Sequence, residues 1–365
     1  MTTTFAVTRA DLRRTQWLEA VAPALGDGEV RLHIDRFALT SNNITYAAFG
    51  EAMHYWDFYP TGDATTGCIP VWGFATVRES RCPGVDEGER FYGYFPIADE
   101  VVLHPARVDS AGFFDAAPRR RDLASVYNQV LRCRSDPWYR EPHESLLALL
   151  RPLFITSFLI DDLLADNDDF GARSVLVSSA SSKTAYGLAF CLTQRRAAGG
   201  AIGSVGLTSP TNLEFTRRLG CYDEVLPYAD LTRLDPERRS VYVDMSGDAA
   251  LRTAVHDHWR DHLAYSCAVG GTHWKCLGGT SGLAGPRPVL FFAPAQIKKR
   301  VAEWGAAGFN ERLAAAWHAF ITRVADPARP WLRVVSGTGR TAVESTYASL
   351  LDGTVPADEG RILAV

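Results

Sequence analysis

The chain has 365 residues, long enough for two domains or one large and one small. Hydrophobic residues make up 47% and charged residues 22%, which excludes a disordered chain. With 38 basic against 42 acidic residues the net charge is −4, so no basic field invites nucleic acid.

No uncharged apolar run approaches the ~20 residues of a membrane helix. Arg9, Asp11, Arg13 and Arg14 stand where a signal peptide would need its apolar stretch, so a cytoplasmic protein is expected, with no membrane partner. The seven cysteines, Cys68, Cys82, Cys133, Cys191, Cys221, Cys267 and Cys276, are odd in number, scattered and without a C-x-x-C pair. That pattern predicts reduced core thiols, and neither a disulfide frame nor a zinc site.

In chain order, Val30–Phe37 alternates, Val71–Glu79 is strand-like, and Gly88–Tyr94 with Glu100–His104 reads as two short strands around a turn. The first part is therefore predicted to be a small, mostly β domain. From Ser145 the pattern turns helical, with Leu146, Leu147, Leu149, Leu150, Leu153, Ile155, Phe158, Leu159, Leu163 and Leu164 apolar. Next, Ser174–Ser178 predicts a short buried strand, Ser179–Thr184 a loop of small polar residues, and Ala185–Arg196 a helix. Ile202–Thr208 predicts a second strand, Asn212–Leu219 a second helix, and Gly220 its C-cap. The alternation continues with strands at Ser240–Met245, Ala264–Val269 and Val289–Phe292, and helices at Ala249–His262, Ile297–Trp304 and Glu311–Val324. Such βαβ units predict an α/β region with a mostly parallel sheet. The tail reads strand, helix, strand over Leu332–Ser336, Ala342–Leu351 and Gly360–Ala364.

In a doubly wound sheet, ligands bind beyond the carboxyl ends of the strands. The loop after the first strand is thus the candidate anion site. Ser179, Ser181, Ser182 and Thr184 offer hydroxyls, Lys183 offers a charge, and backbone amides open a helix. The plain alternative is a Ser-rich helix cap with a solvated Lys183. A dinucleotide fingerprint wants three glycines, where this chain has Ser179, Ser182 and Ala185. A degenerate phosphate loop over Val177–Thr184, with Asp244 as its metal-binding carboxylate, competes with it. At the end of the second strand Thr208, Ser209, Asn212 and Arg217 carry no acidic group, which favours NADP over NAD.

Several segments in this order carry a family resemblance: Ile69-Pro70-Val71-Trp72-Gly73-Phe74, Gly88-Glu89-Arg90-Phe91-Tyr92-Gly93-Tyr94, Ser174–Ala185, Gly220-Cys221-Tyr222-Asp223-Glu224-Val225, and Val243-Asp244-Met245-Ser246-Gly247. Together with Val30–Asn43 and Val269-Gly270 they resemble the zinc-free quinone-reductase and enoyl-reductase branch of the medium-chain dehydrogenase/reductase superfamily. More narrowly the chain is similar to an uncharacterised bacterial family of unknown function at the edge of that branch. The resemblance covers nearly the whole chain. It implies a GroES-like β-rich domain over 1–150, completed by 326–365, and a Rossmann-type doubly wound domain over 151–325. It further implies NADP(H) as cofactor, lying between the domains, a homodimer formed through strands around Val289–Phe292, and reduction of an activated C=C or carbonyl in a small aromatic or thioester substrate.

By family position Tyr46 is the candidate proton donor or carbonyl anchor, and Asn43 polarises the substrate or fixes the cofactor. Ser179, Ser181, Ser182, Lys183, Thr184, Thr208, Ser209, Asn212, Gly247, Val269 and Gly270 are the expected cofactor contacts. Tyr55, Trp56, Tyr127, Asn128 and Trp274 are expected to line the substrate. Phe74 stands where zinc-dependent members carry a His, so metal-assisted alcohol oxidation is not expected. The missing loop glycines leave a second reading open, a non-redox binding or lyase-type protein on the same fold. The phosphotransferase reading is third. The His256–His262 run and Lys298-Lys299-Arg300 are read as solvated helix faces.

Overall fold

The computed structural model describes residues 1–270 and 282–365. The chain divides into two compact units, Met1–Leu149 with Leu332–Val365, and Leu150–Trp331.

The first unit is built on antiparallel strands. A hairpin of β1 (Thr2–Thr8) and β2 (Asp11–Ala20) precedes β3 (Val30–Leu39) and helix α1 (Ser41–Ala48). There follow β4 (Thr66–Gly67), β5 (Pro70–Ser80), β6 (Arg90–Pro96), β7 (Glu100–Leu103), β8 (Pro105–Asp109), β9 (Gly112–Asp115) and β10 (Gln129–Arg132). The hairpin and β4 form a three-stranded sheet that sequence patterning does not anticipate, because β2 is exposed along most of its length. Phe5 anchors it edge-on to Trp17 at 5.2 Å. The main sheet takes two strands from the tail, which are numbered below in chain order. Within it Arg90 clamps β6 to β3 through Asp35 (2.7 and 2.9 Å) and to Glu144 (2.8 Å). The paired bidentate geometry fixes strand register as well as adding energy.

Helix α2 (Glu144–Asp166) is followed by β11 (Ser174–Val177), α3 (Lys183–Ala197), β12 (Gly203–Thr208), α4 (Leu213–Leu219) and β13 (Glu224–Pro227). Then come β14 (Ser240–Asp244), α5 (Ala249–Trp259), β15 (Leu263–Ala268), β16 (Val289–Leu290) and α6 (Ala293–Val324). The tail adds β17 (Arg333–Thr338), α7 (Arg340–Leu351) and β18 (Glu359–Ala364). The first unit's large sheet then runs β17-β18-β3-β5-β6-β10-β9-β8, with β7 also paired to β3.

The second unit's six strands lie in the order β13-β12-β11-β14-β15-β16, every pair parallel. Counted from β11 this is 3-2-1-4-5-6, the order of the dinucleotide-binding doubly wound fold. Chain order reverses between β11 and β14. Strand β11 shows why: Val175 and Val177 pack with Leu188 and Val243 on one face, while Leu176 packs with Leu207 and Val255 on the other. A strand buried on both faces reads as an unbroken apolar run, as Val-Leu-Val does here. Gly220 caps α4 at φ 68°, as its position predicts.

Boundaries and faces depart from expectation at four places. Lys183 and Thr184 belong to the first turn of α3 and not to the loop before it. The two helices expected before the tail form one run, α6, broken at Gly305 where φ is 74°. The His256–His262 run is not a solvated face: His256 is fully buried, its Nδ1–H donating to Ala284 O (2.7 Å) and its Nε2 accepting from the Ser266 hydroxyl (2.9 Å). Arg300 is also buried, bound to Asp162 (2.6 Å) and Asp166 (2.9 Å) of α2. Lone charged residues in an otherwise helical pattern gave no sign that α2 would supply their partners. Among the described residues six cysteines are free and no helix is long and apolar enough to cross a membrane.

Burial holds the His256 pKa below its ordinary 6.5, with Arg252 adding to the effect and Asp244 and Asp257 opposing it. Below about pH 6.5 the unfolded chain takes up a proton that the folded chain refuses, so His256 costs stability as pH falls. His256→Asn should lower stability at pH 8 but flatten its decline between about pH 6.5 and 5, read from urea unfolding across that range.

Candidate functional site

Candidate residues fall into two groups, one within each unit. In the second unit they line the carboxyl edge of the parallel sheet. The sequence leaves β11 through Ser178 and turns sharply at Ser179, which holds a left-handed φ of 49°. A non-glycine residue pays about 1–2 kcal/mol for that conformation. The turn of a glycine-based nucleotide loop is thus kept without its glycine. Ser182 N–H donates to Ser179 O (2.8 Å), and Ser182 Oγ caps α3 by accepting from Ala185 N–H (3.4 Å). Ala180 is sealed in: its N–H donates to Leu207 O (3.0 Å), its carbonyl accepts from Tyr222 (2.9 Å), and a Cβ on Gly206 would stand 2.9 Å from its own. Ser181 is buried, and Lys183 opens the helix behind it.

Beside this loop the next strand ends in Thr208, whose Oγ1 is buried and has no hydrogen-bond partner among the described residues. Ser209 and Asn212 flank the short 3₁₀ turn that leads into α4. Two strands along, Asp244 is 1% exposed and densely bound. Its Oδ1 accepts from the Ser178 hydroxyl (2.9 Å), the Ser246 N–H (3.1 Å) and hydroxyl (2.9 Å), and Gly247 N–H (2.9 Å). Its Oδ2 accepts from Arg252 Nε (2.9 Å). Val269 and Gly270 N–H both donate to Asp244 O, at 3.0 and 3.2 Å. Gly247, Val269 and Gly270 therefore share one edge with the serine loop, as expected. The same bonds remove Asp244 as a metal-binding carboxylate, so the phosphate-loop reading loses its acidic partner. Among the described residues no cluster of three or more His, Cys, Asp or Glu is placed to hold a metal ion.

Does this edge suit a dinucleotide? The orphaned Thr208 hydroxyl and the retained Ser179 turn fit one. Against them, the Ser179 N–H already donates to the Tyr228 hydroxyl (3.2 Å), so a phosphate oxygen taking that amide must displace a phenol. Tyr228 gave no signal in the sequence, since it reaches the loop from the far side of β13.

In the first unit Tyr46 lies on α1. Asn43 makes the helix start: its Oδ1 accepts from Thr40 N–H (2.8 Å), and its amide donates to Pro70 O (2.9 Å). At 3% exposure Asn43 has its side chain spent on the helix start and on Pro70. Trp56 and Asn128, also expected at the substrate, are packed or bonded as well. Trp56 is buried against Gly50 and Gly67, where an added Cβ would stand 2.1 and 2.4 Å from its ring. Asn128 is tied to buried Arg120 by two 3.1 Å bonds.

Tyr46, Tyr55 and Tyr127 do come together. Tyr46 lies 4.6 Å from Tyr55 and 6.4 Å from Tyr127, and the Tyr55 and Tyr127 hydroxyls are 3.3 Å apart. Trp72 Nε1 donates to the Tyr46 hydroxyl (3.3 Å). Tyr94, missed by sequence reading, fills the floor at 4.7 Å from Tyr127 and 5.0 Å from Trp72. The signal was present in Tyr92-Gly93-Tyr94: residues two apart on a strand share a face, and β6 pairs Tyr94 with Trp72 and Tyr92 with Phe74. Burial raises the pKa of all four tyrosines, so these are neutral phenols at physiological pH. Trp274 lies outside the described residues.

The sequence profile of a family described as "Protein of unknown function (DUF2855)" matches residues 37–356. No curated protein matches the chain. Among solved structures it is similar to CurA from Vibrio vulnificus in complex with NADPH, with a TM-score of 0.64 at 11% identity over 100% of this chain and 99% of that one. It is also similar to the YhdH oxidoreductase from Salmonella enterica in complex with NADP (TM-score 0.54, 13% identity, 100% of both chains). A third is the quinone oxidoreductase from Coxiella burnetii (TM-score 0.56, 10% identity, 100% of this chain and 99% of that one). At these identities the likeness establishes the fold alone.

The left-handed turn can be tested directly. Ser179→Gly should leave stability unchanged or raise it by up to about 1 kcal/mol, whereas β-branched Ser179→Val should cost about 1–3 kcal/mol in chemical denaturation.

Proposed function

The chain belongs to the DUF2855 family, and for it we propose an NADPH-dependent oxidoreductase activity of the zinc-free medium-chain type. Its substrate carries an activated C=C or carbonyl group in a small aromatic or thioester molecule. The observation that carries the cofactor half is Thr208, a buried hydroxyl without a partner among the described residues, at the strand end that meets the adenosine side of a dinucleotide. Three solved structures of the same fold hold NADPH or NADP, which supports the choice.

NADPH, when bound, supplies a hydride. This chain's residues then have separate tasks. Ser179, Ser181, Ser182, Lys183 and Thr184 hold the pyrophosphate at the start of α3, where amide donors and the helix dipole favour an anion. Thr208, Ser209 and Asn212 meet the adenosine ribose and its phosphate, and no carboxylate among them repels it. Gly247, Val269 and Gly270, whose amides are held on Asp244, border the cofactor at the far end of the same edge. In the first unit Tyr46 anchors the substrate carbonyl or donates the proton, with Tyr55 and Tyr127 beside it. A phenol kept neutral by burial is a competent donor to an oxygen that gains charge.

The bond from Ser179 N–H to Tyr228 favours a second reading, a non-redox binding or lyase-type protein on the same fold. Calorimetric titration with NADPH and NADH separates the two. The reductase reading expects saturable NADPH binding in roughly the micromolar to sub-millimolar range, tighter than NADH. Lys183→Glu places a carboxylate where the helix tolerates it and should weaken NADPH about tenfold or more. Thr208→Val deletes an unpaired hydroxyl and should leave folding intact while weakening NADPH about three- to tenfold. No binding at millimolar NADPH sinks the reductase reading.

We also propose a homodimer. Edge strand β16 leaves Val289, Leu290 and Phe292 exposed at 48, 71 and 59%, a bare apolar edge of the kind that pairs with a second copy. Light scattering should give twice the chain mass for the wild type and the monomer mass for Leu290→Glu.

A further inference from the structure

The aromatic group of the first unit has a property that its family position does not supply. Its hydrogen-bonding side chains are phenols and one indole, and the guanidinium that reaches it, Arg120, donates to the Tyr127 backbone carbonyl (3.1 Å). The influences that shift the Tyr55, Tyr94 and Tyr127 hydroxyls come from burial and from other tyrosines, and those on Tyr46 add only Trp72 and Asn42. Besides that bond, Arg120 lies over the Phe58 and Tyr59 rings and is paired with buried Asp115 at 2.8 Å. Arg119 is turned to Phe58 O (3.1 Å).

Within this set one hydroxyl is unspent. Tyr46 is bonded to Trp72, Tyr55 to Tyr127, and Tyr59 to Tyr94 O (2.6 Å). The Tyr94 hydroxyl, on a side chain 1% exposed, has no partner among the described residues. Leaving a buried hydroxyl unbonded is costly, so folds keep one where something else completes it. Its ring sits among Tyr46 (5.6 Å), Phe58 (5.3 Å), Trp72 (5.0 Å) and Tyr127 (4.7 Å), with the last two only partly buried.

We infer that Tyr94 is a specificity-determining residue: its phenol takes the oxygen of a flat, uncharged ligand, and the neutral donors around it, with Arg120 already paired to Asp115, reject ligands whose buried end is a carboxylate or phosphate. The inference rests on the tyrosines being the substrate end of the proposed reductase and narrows what that end admits. Rings stack on Trp72 and Tyr127, and a neutral carbonyl finds a neutral donor at no cost in ion desolvation. A carboxylate entering the same place would lose its hydration beside a guanidinium, Arg120, whose charge Asp115 already offsets.

The test is a ligand-observed NMR titration of the full chain without nicotinamide cofactor, using acetophenone, benzoate and toluene. These probes share a ring and differ in charge and in the carbonyl oxygen. Acetophenone should bind at least about tenfold more tightly than benzoate. Tyr94→Phe, which removes only an unpaired hydroxyl, should melt no lower than the wild type and weaken acetophenone about fivefold or more, leaving toluene unchanged. Benzoate binding as tightly as acetophenone overturns the inference, as does absence of saturable ketone binding. A Tyr94→Phe variant that weakens toluene and acetophenone alike, or neither, also overturns it. Because no cofactor is present, failure here is separate from failure of the NADPH titration.

Discussion

A carboxylate sealed from water at the point where chain order reverses holds the second unit's working edge together. Asp244 is affordable there only because five donors converge on it, one of them the guanidinium of Arg252. Those donors come from the end of β11, the turn after β14 and the body of α5. One buried charge therefore fixes where β11 hands over to the serine loop and where Gly247 lies beside it. The Val269 and Gly270 amides on the Asp244 carbonyl carry the same clasp to the strand after. The edge is rigid by electrostatics before any ligand arrives, and the strained turn at Ser179 persists because its surroundings dictate it.

The first unit solves a different problem. Its charges, Arg90 with Asp35 and Glu144 and Arg120 with Asp115, are paired off within the sheet and its flanks. The tyrosine hydroxyls are left to one another and to an indole, and burial keeps these phenols protonated. The two units thus present opposite chemistry. One offers amide and hydroxyl donors at a helix start, suited to phosphate, and the other offers neutral donors among rings, suited to an uncharged carbonyl.

Much of the second unit was legible in one dimension because its constraints are local. Val175-Leu176-Val177 must be a strand buried on both faces, and Gly220 must end a helix, whatever else the chain does. Residues whose meaning lies in a distant partner were not legible. Arg252 and His256 sit in a helix that looks wet until Asp244, Ser266 and Ala284 are brought against it. Asn43 looked like chemistry, and only the fold brings its amide onto Pro70. Tyr94 looked like one more strand residue, and only cross-strand register with Trp72 placed it beneath Tyr46 and Tyr127.

The sequence by itself determined the α/β class, the alternation of strands and helices, and the anion-favouring composition of the loop before α3. Each follows from periodicity or capping within a few residues. Tertiary structure decided which polar groups are spent and which are free. The Asp244 carboxylate is saturated, the Ser179 amide is taken by Tyr228, and the Thr208 and Tyr94 hydroxyls are left open. Whether a buried donor or acceptor is satisfied depends on groups far apart in the chain, and only folding sets that distance.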